Sequence, residues 1–454
     1  MILNTFIANK FKCTAYCIAV FLIFLFPVNN LYAQELNHAT KLTLQDAIEL
    51  ARHKNKEIKQ AKVKNEISAD NIQLIKQLRL PDVELHTSYA RVTNLNQYEN
   101  GLFSAPEMFK NIPDMYDVTM NAKMPLYMGN KINNEIEKSA QEQQITELKS
   151  RKIANDIQIN VINMYLGTYK LMLFSDVLKE QIKEEVDRLA EVKALKRNGA
   201  LTKNDLLRAE LQLSNMKLAL INNEANTSIA LHQLKTLLEI PENEDLKIDT
   251  SSVSNVLLPN NEYDAYVSAA LHKEELQIAE KEAGIAQTDR KITQGNYYPK
   301  VALFGTYGYN YPNYKFFPPT PYLYTLGLAG IDVSFSLSEL FKNKKKMSVA
   351  NKKIEQQLLE AEIVKNNIID KVYKEYKQYT ASKEKLTVTE QSVMQANENY
   401  RIVRMKYLNQ LALITDMIDA DNSLLEAKFT DVSAKVDAQL KYYQLQHAAG
   451  ILNN

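Results

Sequence analysis

The chain has 454 residues, 55 of them basic and 54 acidic, for a formal net charge of +1. So even a balance gives no grip on nucleic acid, and a mean hydropathy of −0.33 with 24% charged residues argues against a bundle of membrane-spanning helices, each of which needs roughly 18 or more apolar residues in a row. Two cysteines, Cys13 and Cys17, both lie near the N-terminus, so the rest of the chain has no thiol for catalysis, disulfides or cysteine-held metal.

Residues 1–33 read as an export signal. Lys10 and Lys12 precede the apolar run Cys13 to Phe26, and Leu31-Tyr32-Ala33 ends in a small residue suited to cleavage. The mature chain then starts near Gln34, without either cysteine and with none at the cleavage point to carry a lipid.

A first structural repeat occupies 34–238. Thr43 and Asp46 have capping-box spacing, and Leu44, Ala47, Ile48, Ala51, Ile58, Ala61 and Val63 follow a helical period, which predicts one helix from Gln45 to Arg79, stopped by Pro81. Val83, Leu85 and Tyr89 then alternate with polar residues, as do Val118, Met120, Ala122 and Met124, giving two strands with one polar face each. Lys131 to Arg197 holds no proline, with apolar residues at Leu178, Ile182, Val186 and Leu189 in its last third. This predicts a single helix about 100 Å long. Thr202 and Asp205 form another capping-box pattern and open a helix to Leu238.

A linker at 239–261 leads to a second repeat, 262–454. Pro299 follows Pro81 by 218 residues (299 − 81), with Val301, Leu303 and Tyr307 on Val83, Leu85 and Tyr89. The second strand of this half, Tyr324 to Leu337, changes parity near Gly330, a pattern that suggests a bulge. A second very long helix spans Ser338 to Leu408, and a last one ends near Ala449. In the first half the two shorter helices, Gln45 to Arg79 and Lys203 to Leu238, together match the long one, so stacked end to end they can run beside it, and each half then contributes two parallel-sided struts and two strands.

The turn between the last two helices repeats the turn of the first half at an offset of 211: Asp416 answers Asp205 (416 − 205), Ile418 answers Leu207 and Asp421 answers Glu210. Asp416 and Asp419, at i and i+3, share a helix face. Two readings stand. In a threefold assembly they would ring an axis, favour cations and bring cation block and pH dependence; alternatively, acids in a first helical turn are stabilised by the helix dipole without any pore. Asp205 is fully explained by its capping position.

Four strands are too few to close a barrel, whereas three copies supply twelve, a size suited to an outer-membrane barrel. The tyrosines crowded between Tyr297 and Tyr324 suit a membrane boundary, or else cover a sheet face. Lys342 to Lys346 either meets lipid headgroups or is a solvated helix start. The six histidines are scattered without ligand spacing, and no phosphate loop or nucleophile elbow appears. No cofactor, metal or catalytic residue is expected.

Helix, strand pair, very long helix, turn, helix, all repeated, resembles the TolC-like outer-membrane efflux family across nearly the whole chain after the signal. The segment Tyr407 to Asp421, YLNQLALITDMIDAD, carries the most specific likeness. The resemblance implies a mixed α and β fold: a homotrimeric, twelve-stranded outer-membrane β-barrel, four strands per protomer, continued by a long periplasmic α-helical barrel that tapers at the turns. It implies outer-membrane lipid, a periplasmic adaptor and an inner-membrane pump as partners. Carried across, Asp416 and Asp419 match the acids of the periplasmic constriction, Tyr407 a gate tyrosine, and Asn204 and Asp205 the threonine and aspartate that partner it. Gln410 stands where the family has glycine and Ala412 where it has an arginine that ties the gate closed. The competing expectation is a periplasmic coiled-coil scaffold without a pore, which leaves the duplicated strand pairs unexplained.

Overall fold

The computed structural model describes residues 41–249, 262–316 and 318–452. The expected signal at 1–33 and most of the linker lie outside them. Everything below belongs to the unit Leu42–Asn454.

Eight α-helices carry the described chain: α1 (Leu44–Lys54), α2 (Lys56–Lys76), α3 (Lys131–Arg197), α4 (Lys203–Leu238), α5 (Tyr263–Ala270), α6 (Glu274–Gln294), α7 (Leu337–Leu408) and α8 (Ile414–Ala449). The long helices α3 and α7 run 67 and 72 residues. Thr43 caps α1 in the expected box, accepting from Asp46 N–H at 3.1 Å while the Asp46 carboxylate accepts from Thr43 N–H at 3.2 Å.

The single helix expected from Gln45 to Arg79 is broken at Asn55, where φ −57° and ψ 132° leave helical space. Asn55 is 5% exposed. Its Oδ1 accepts from the N–H groups of Glu57 and Ile58, and its Nδ2 donates to the Leu237 carbonyl at 3.1 Å. One side chain therefore caps the start of α2 and satisfies a carbonyl at the end of α4. The second half breaks at the same offset of 218 (273 − 55), with Lys273 extended between α5 and α6. The expected stacking is thus present in both repeats, α2 with α4 beside α3 and α6 with α8 beside α7.

Each junction has its own core. Ala47, Ile48, Ala51, Ile58, Val161, Ile162, Leu166, Leu234 and Leu238 pack around Tyr165, whose hydroxyl donates to the carbonyls of Leu42 and Asp249. In the second repeat Tyr266, Ala270, Leu276, Val372, Tyr379 and Leu445 do the same work.

The strands β1 (Asp82–Arg91), β2 (Asp114–Tyr127), β3 (Lys300–Tyr311) and β4 (Tyr324–Ser334) form one antiparallel sheet in that order. Leu85 faces Met120, Met120 faces Tyr307 and Tyr307 faces Gly327 across the ladder. Partners across a ladder share a face, so Val83, Leu85, Tyr89, Val118, Met120, Leu303, Tyr307, Ile331 and Val333 stand together on one side, largely exposed. Asp82, Glu84, His86, Asp117, Asn121, Lys123, Thr306 and Asp332 stand on the other.

The bulge expected near Gly330 is absent: β3 and β4 pair without interruption, and the register shifts at Pro125/Tyr127 in β2 instead. The parity change is real in the sequence and is met by placing Leu326 and Leu328 on the polar face. Gly330 lies under the Phe304 ring and Gly327 under Tyr307, where any Cβ would come within about 3.1 Å of the aromatic atoms. Aromatic and glycine pair across strands here, so the ladder stays in register.

Strand and helix meet at a second tight point. Gly129 has φ +65° and its missing Cβ would strike the Gly295 carbonyl, while a Cβ on Gly295 would sit 2.7 Å from the Gly129 oxygen. The turn into α3 and the end of α6 therefore touch backbone to backbone. Nearby, Asn343 is fully buried, donating to the Thr293 carbonyl and accepting from Asn296. The lysines around it, Lys342, Lys344, Lys345 and Lys346, are exposed, and Lys346 pairs with Glu339 at 2.8 Å.

Candidate functional site at the paired turns

The turn joining α3 to α4 closes by hydrogen bonds from Gly199 N–H to Lys196 and from Ala200 N–H to Leu195, with Gly199 at φ +77°. The turn joining α7 to α8 repeats it 211 residues on (410 − 199). Gln410 N–H donates to Tyr407, Leu411 N–H donates to Lys406, and Gln410 takes φ +59°. The position demands left-handed backbone, for which glycine is the usual residue, and here a glutamine adopts it.

The helix starts match as well. Asp205 accepts from Thr202 N–H at 2.9 Å, and Asp416 accepts from Leu413 N–H at 2.9 Å. Thr202 completes its box through its hydroxyl, which accepts from Asp205 N–H at 3.2 Å. Leu413 has no hydroxyl, so α8 keeps half of the box. Asp416 thus has a capping role in the structure.

Of the five residues singled out, Asp416, Asp419 and Asn204 are exposed, and Asp205 is half-buried. Asp416 and Asp419 share the exposed face of α8, opposite Met417, Ala420 and Asp421. Tyr407 departs from this group. It is 4% exposed, packed with Val192, Ala209, Ile414 and Met417, with Leu189, Leu201, Leu206 and Ala412 around them. Burial raises its hydroxyl pKa, and the charges of Asp205 and Glu191 raise it further. The structure therefore brings Tyr407 near Asp205, on adjoining hairpins, and leaves Asp416 and Asp419 on an open face. Ala412 contributes a methyl to this core.

Two turns up from the tips lies a charged cluster that the apolar pattern concealed. Of the apolar residues near the end of α3, Leu178 is buried and Val186 is 47% exposed. The buried face runs Leu178, Gln181, Glu185, Arg188, Val192, alternating steps of three and four with polar residues at its centre. Arg188 Nη1 donates to Glu185 at 2.5 Å, and its Nη2 donates to Tyr400 Oη on α7 at 2.6 Å and to Asp421 Oδ1 on α8 at 3.1 Å. Gln181 Nε2 adds a donor to the same Asp421 oxygen at 2.6 Å. The guanidinium also stacks over the Tyr400 ring at 5.4 Å. A uniform 3–4 spacing shared by polar and apolar residues is the signal that would have found this face.

Among the described residues no helix is long and apolar enough to cross a membrane, and no cluster of His, Cys, Asp or Glu could hold a metal ion.

The fold so described is a duplicated strand-pair and long-helix unit with one apolar sheet face and two hairpin tips. Residues 47–238 and 265–451 match the outer membrane efflux protein family, one segment in each repeat. The chain belongs to that family, a family of outer-membrane channels. No individual curated protein matches it in sequence. Among solved structures it is similar to the outer-membrane channel OprN, with 15% identity, a TM-score of 0.74 and coverage of 90% of this chain and 89% of that one. It is similar to the outer membrane protein VceC of Vibrio cholerae at 18% identity, TM-score 0.71, covering 90% and 96%. It also resembles the Neisseria gonorrhoeae MtrE outer membrane channel in its open state, at 16% identity, TM-score 0.70, covering 90% and 89%.

Proposed function

We propose that the protein is the exit duct of a tripartite efflux or type I secretion system: a homotrimer whose sheets join into a twelve-stranded outer-membrane barrel and whose helices enclose a periplasmic tunnel. It catalyses nothing. An inner-membrane pump supplies the energy, and a periplasmic adaptor engages the hairpins and opens them.

The observation that carries this reading is the sheet. Its apolar face is exposed in a single copy, the outer edges of β1 and β4 pair with no further strand among the described residues, and its other face is polar. Closing three such sheets into a ring would pair every edge and turn the apolar face to lipid. Tyr89, Tyr116 and Tyr311 lie in a row across three strands, ring centroids 5.3 and 5.6 Å apart, as an aromatic girdle at a bilayer interface would. A coiled-coil scaffold has no use for this surface.

In the trimer, Asp416 and Asp419 would line the narrow periplasmic mouth with six carboxylates, and Tyr407 with Asn204 and Asp205 would hold the hairpins together behind it. Purified protein should run as a heat-dissociable trimer and give cation-selective conductance in planar bilayers. A monomer that inserts no conductance would defeat the reading.

A further inference from the structure

The gate of this chain lacks an arginine at 412, and another arginine, Arg188, is buried nearby with two acids. Among the described residues, the cluster joins three helices through a single guanidinium. Arg188 is 4% exposed, Glu185 1%, and Gln181 and Asp421 fully buried. Each Arg188 terminal nitrogen is engaged, one by Glu185 and the other by Tyr400 and Asp421. Asp421 Oδ1 accepts from Arg188 Nη2 and from Gln181 Nε2, and Oδ2 is buried with no hydrogen-bond partner. Glu185 shares the Arg188 guanidinium with Asp421, so its carboxyl is the group placed to answer that oxygen. A carboxyl can donate to a carboxylate only when it carries the proton.

We infer that Glu185, Arg188 and Asp421 form a proton-loaded latch: a proton carried by Glu185 keeps the cluster neutral and holds α8 and α7 against α3, and its loss releases the second hairpin toward the open gate. The inference rests on the channel reading and deepens it by naming what controls the turns.

Charge arithmetic supports the latch. With Glu185 protonated, one guanidinium faces one carboxylate. With Glu185 ionised, two carboxylates face one guanidinium away from water, and like charges this close disfavour joint ionisation. The titratable groups around Glu185 are Glu184 and Arg188 on α3, Tyr400 on α7 and Asp421 on α8. Arg404 of α7 lies beyond Tyr400 and is held by Glu191 at 3.2 Å. Helix α4 contributes Gln212, whose amide donates to Asn422. Burial, reinforced by the neighbouring Asp421 carboxyl and opposed by the Arg188 charge, pushes the Glu185 carboxyl up to about 8. If opening hydrates it, the carboxyl returns to the ordinary range near about 4.3.

The sign follows. The closed state keeps the proton up to about pH 8 and the open state loses it near about pH 4.3. Opening therefore releases a proton in between, and each unit of rising pH favours opening by up to about tenfold per protomer, levelling off above the closed-state value.

The test is conductance of the purified trimer in planar bilayers from acid to mildly alkaline pH, for the wild type, Glu185→Gln and Asp421→Asn. Glutamine at 185 can donate to Asp421 as the protonated acid does, so it should stay latched at every pH. Asparagine at 421 leaves Glu185 to ionise against Arg188 alone, and its profile should flatten as well. Wild-type conductance that climbs with pH, with both variants flat, supports the latch; a Glu185→Gln channel that keeps the wild-type profile overturns it. Protease cleavage of the 408–413 turn over the same pH range reads the latch without conductance. If the wild type conducts nothing the duct reading falls, and the cleavage profile still decides whether Glu185 governs the hairpin.

Discussion

Asp416 and Asp419 share a helix face but differ in one contact, and the difference separates a structural from a functional role. Asp416 accepts from Leu413 N–H at 2.9 Å and so caps α8, whereas no side-chain hydrogen bond ties Asp419 to the backbone start of that helix. Removing a cap of this kind costs roughly 1 kcal/mol. Asp416→Ala should therefore loosen the start of α8 and also remove charge from the mouth, while Asp419→Ala removes charge alone. If the two acids ring an axis, multivalent cations bind between carboxylates of three protomers, and deleting either set should weaken block by on the order of tenfold or more, about 1.4 kcal/mol. The assay is single-channel conductance against added trivalent cation, with hydrogen exchange of the 411–417 amides as the structural readout. Asp419→Ala should relieve block as far as Asp416→Ala while leaving exchange unchanged. If relief follows the cap, appearing in Asp416→Ala and not in Asp419→Ala, the ring is wrong and these acids serve only the helix.

Other outcomes follow from the packing. Arg188→Met leaves Glu185 and Asp421 facing each other without a cation and should cost about 3–5 kcal/mol, seen as a lower temperature of trimer dissociation; adding Glu185→Gln and Asp421→Leu should recover much of it. Gly295→Ala forces a methyl to within 2.7 Å of the Gly129 oxygen and should destabilise the strand–helix junction by about 1–3 kcal/mol, measured by the yield of heat-resistant trimer. Asn55→Ala removes the α2 cap and orphans the Leu237 carbonyl, a loss of about 1–3 kcal/mol that urea titration should register; Asn55→Asp, which keeps the cap and loses the donor, should fall between.

Much of this architecture is legible in the sequence because local and global signals agree. Proline-free runs mark α3 and α7, Thr43 and Thr202 mark helix starts, and alternation marks all four strands. The failures occur where tertiary contacts override local pattern. The break at Asn55 interrupts a run with good helical periodicity, because one buried amide serves two helix ends. On α3 the apolar residues Ile182 and Val186 give no sign of the buried face beside them, where an ion cluster occupies a core position. In β4 an unchanged register outweighed side-chain parity, leaving Leu326 and Leu328 on the polar side. For the site, spacing and resemblance singled out the exposed acids at the tips but were silent on Glu185 and on Arg188, whose partners Tyr400 and Asp421 lie more than 200 residues away.

The two turns, built to one plan, do not store the same energy. Gly199 sits at φ +77° at no steric cost, whereas Gln410 is held at φ +59° with a side chain, a strain of about 1–2 kcal/mol. The second hairpin is thus wound against a small spring that the first lacks. A motion that lets Gln410 unwind to negative φ gives that energy back, so in each protomer the backbone strain favours movement of the tip bearing Asp416 and Asp419 and offers nothing to the other.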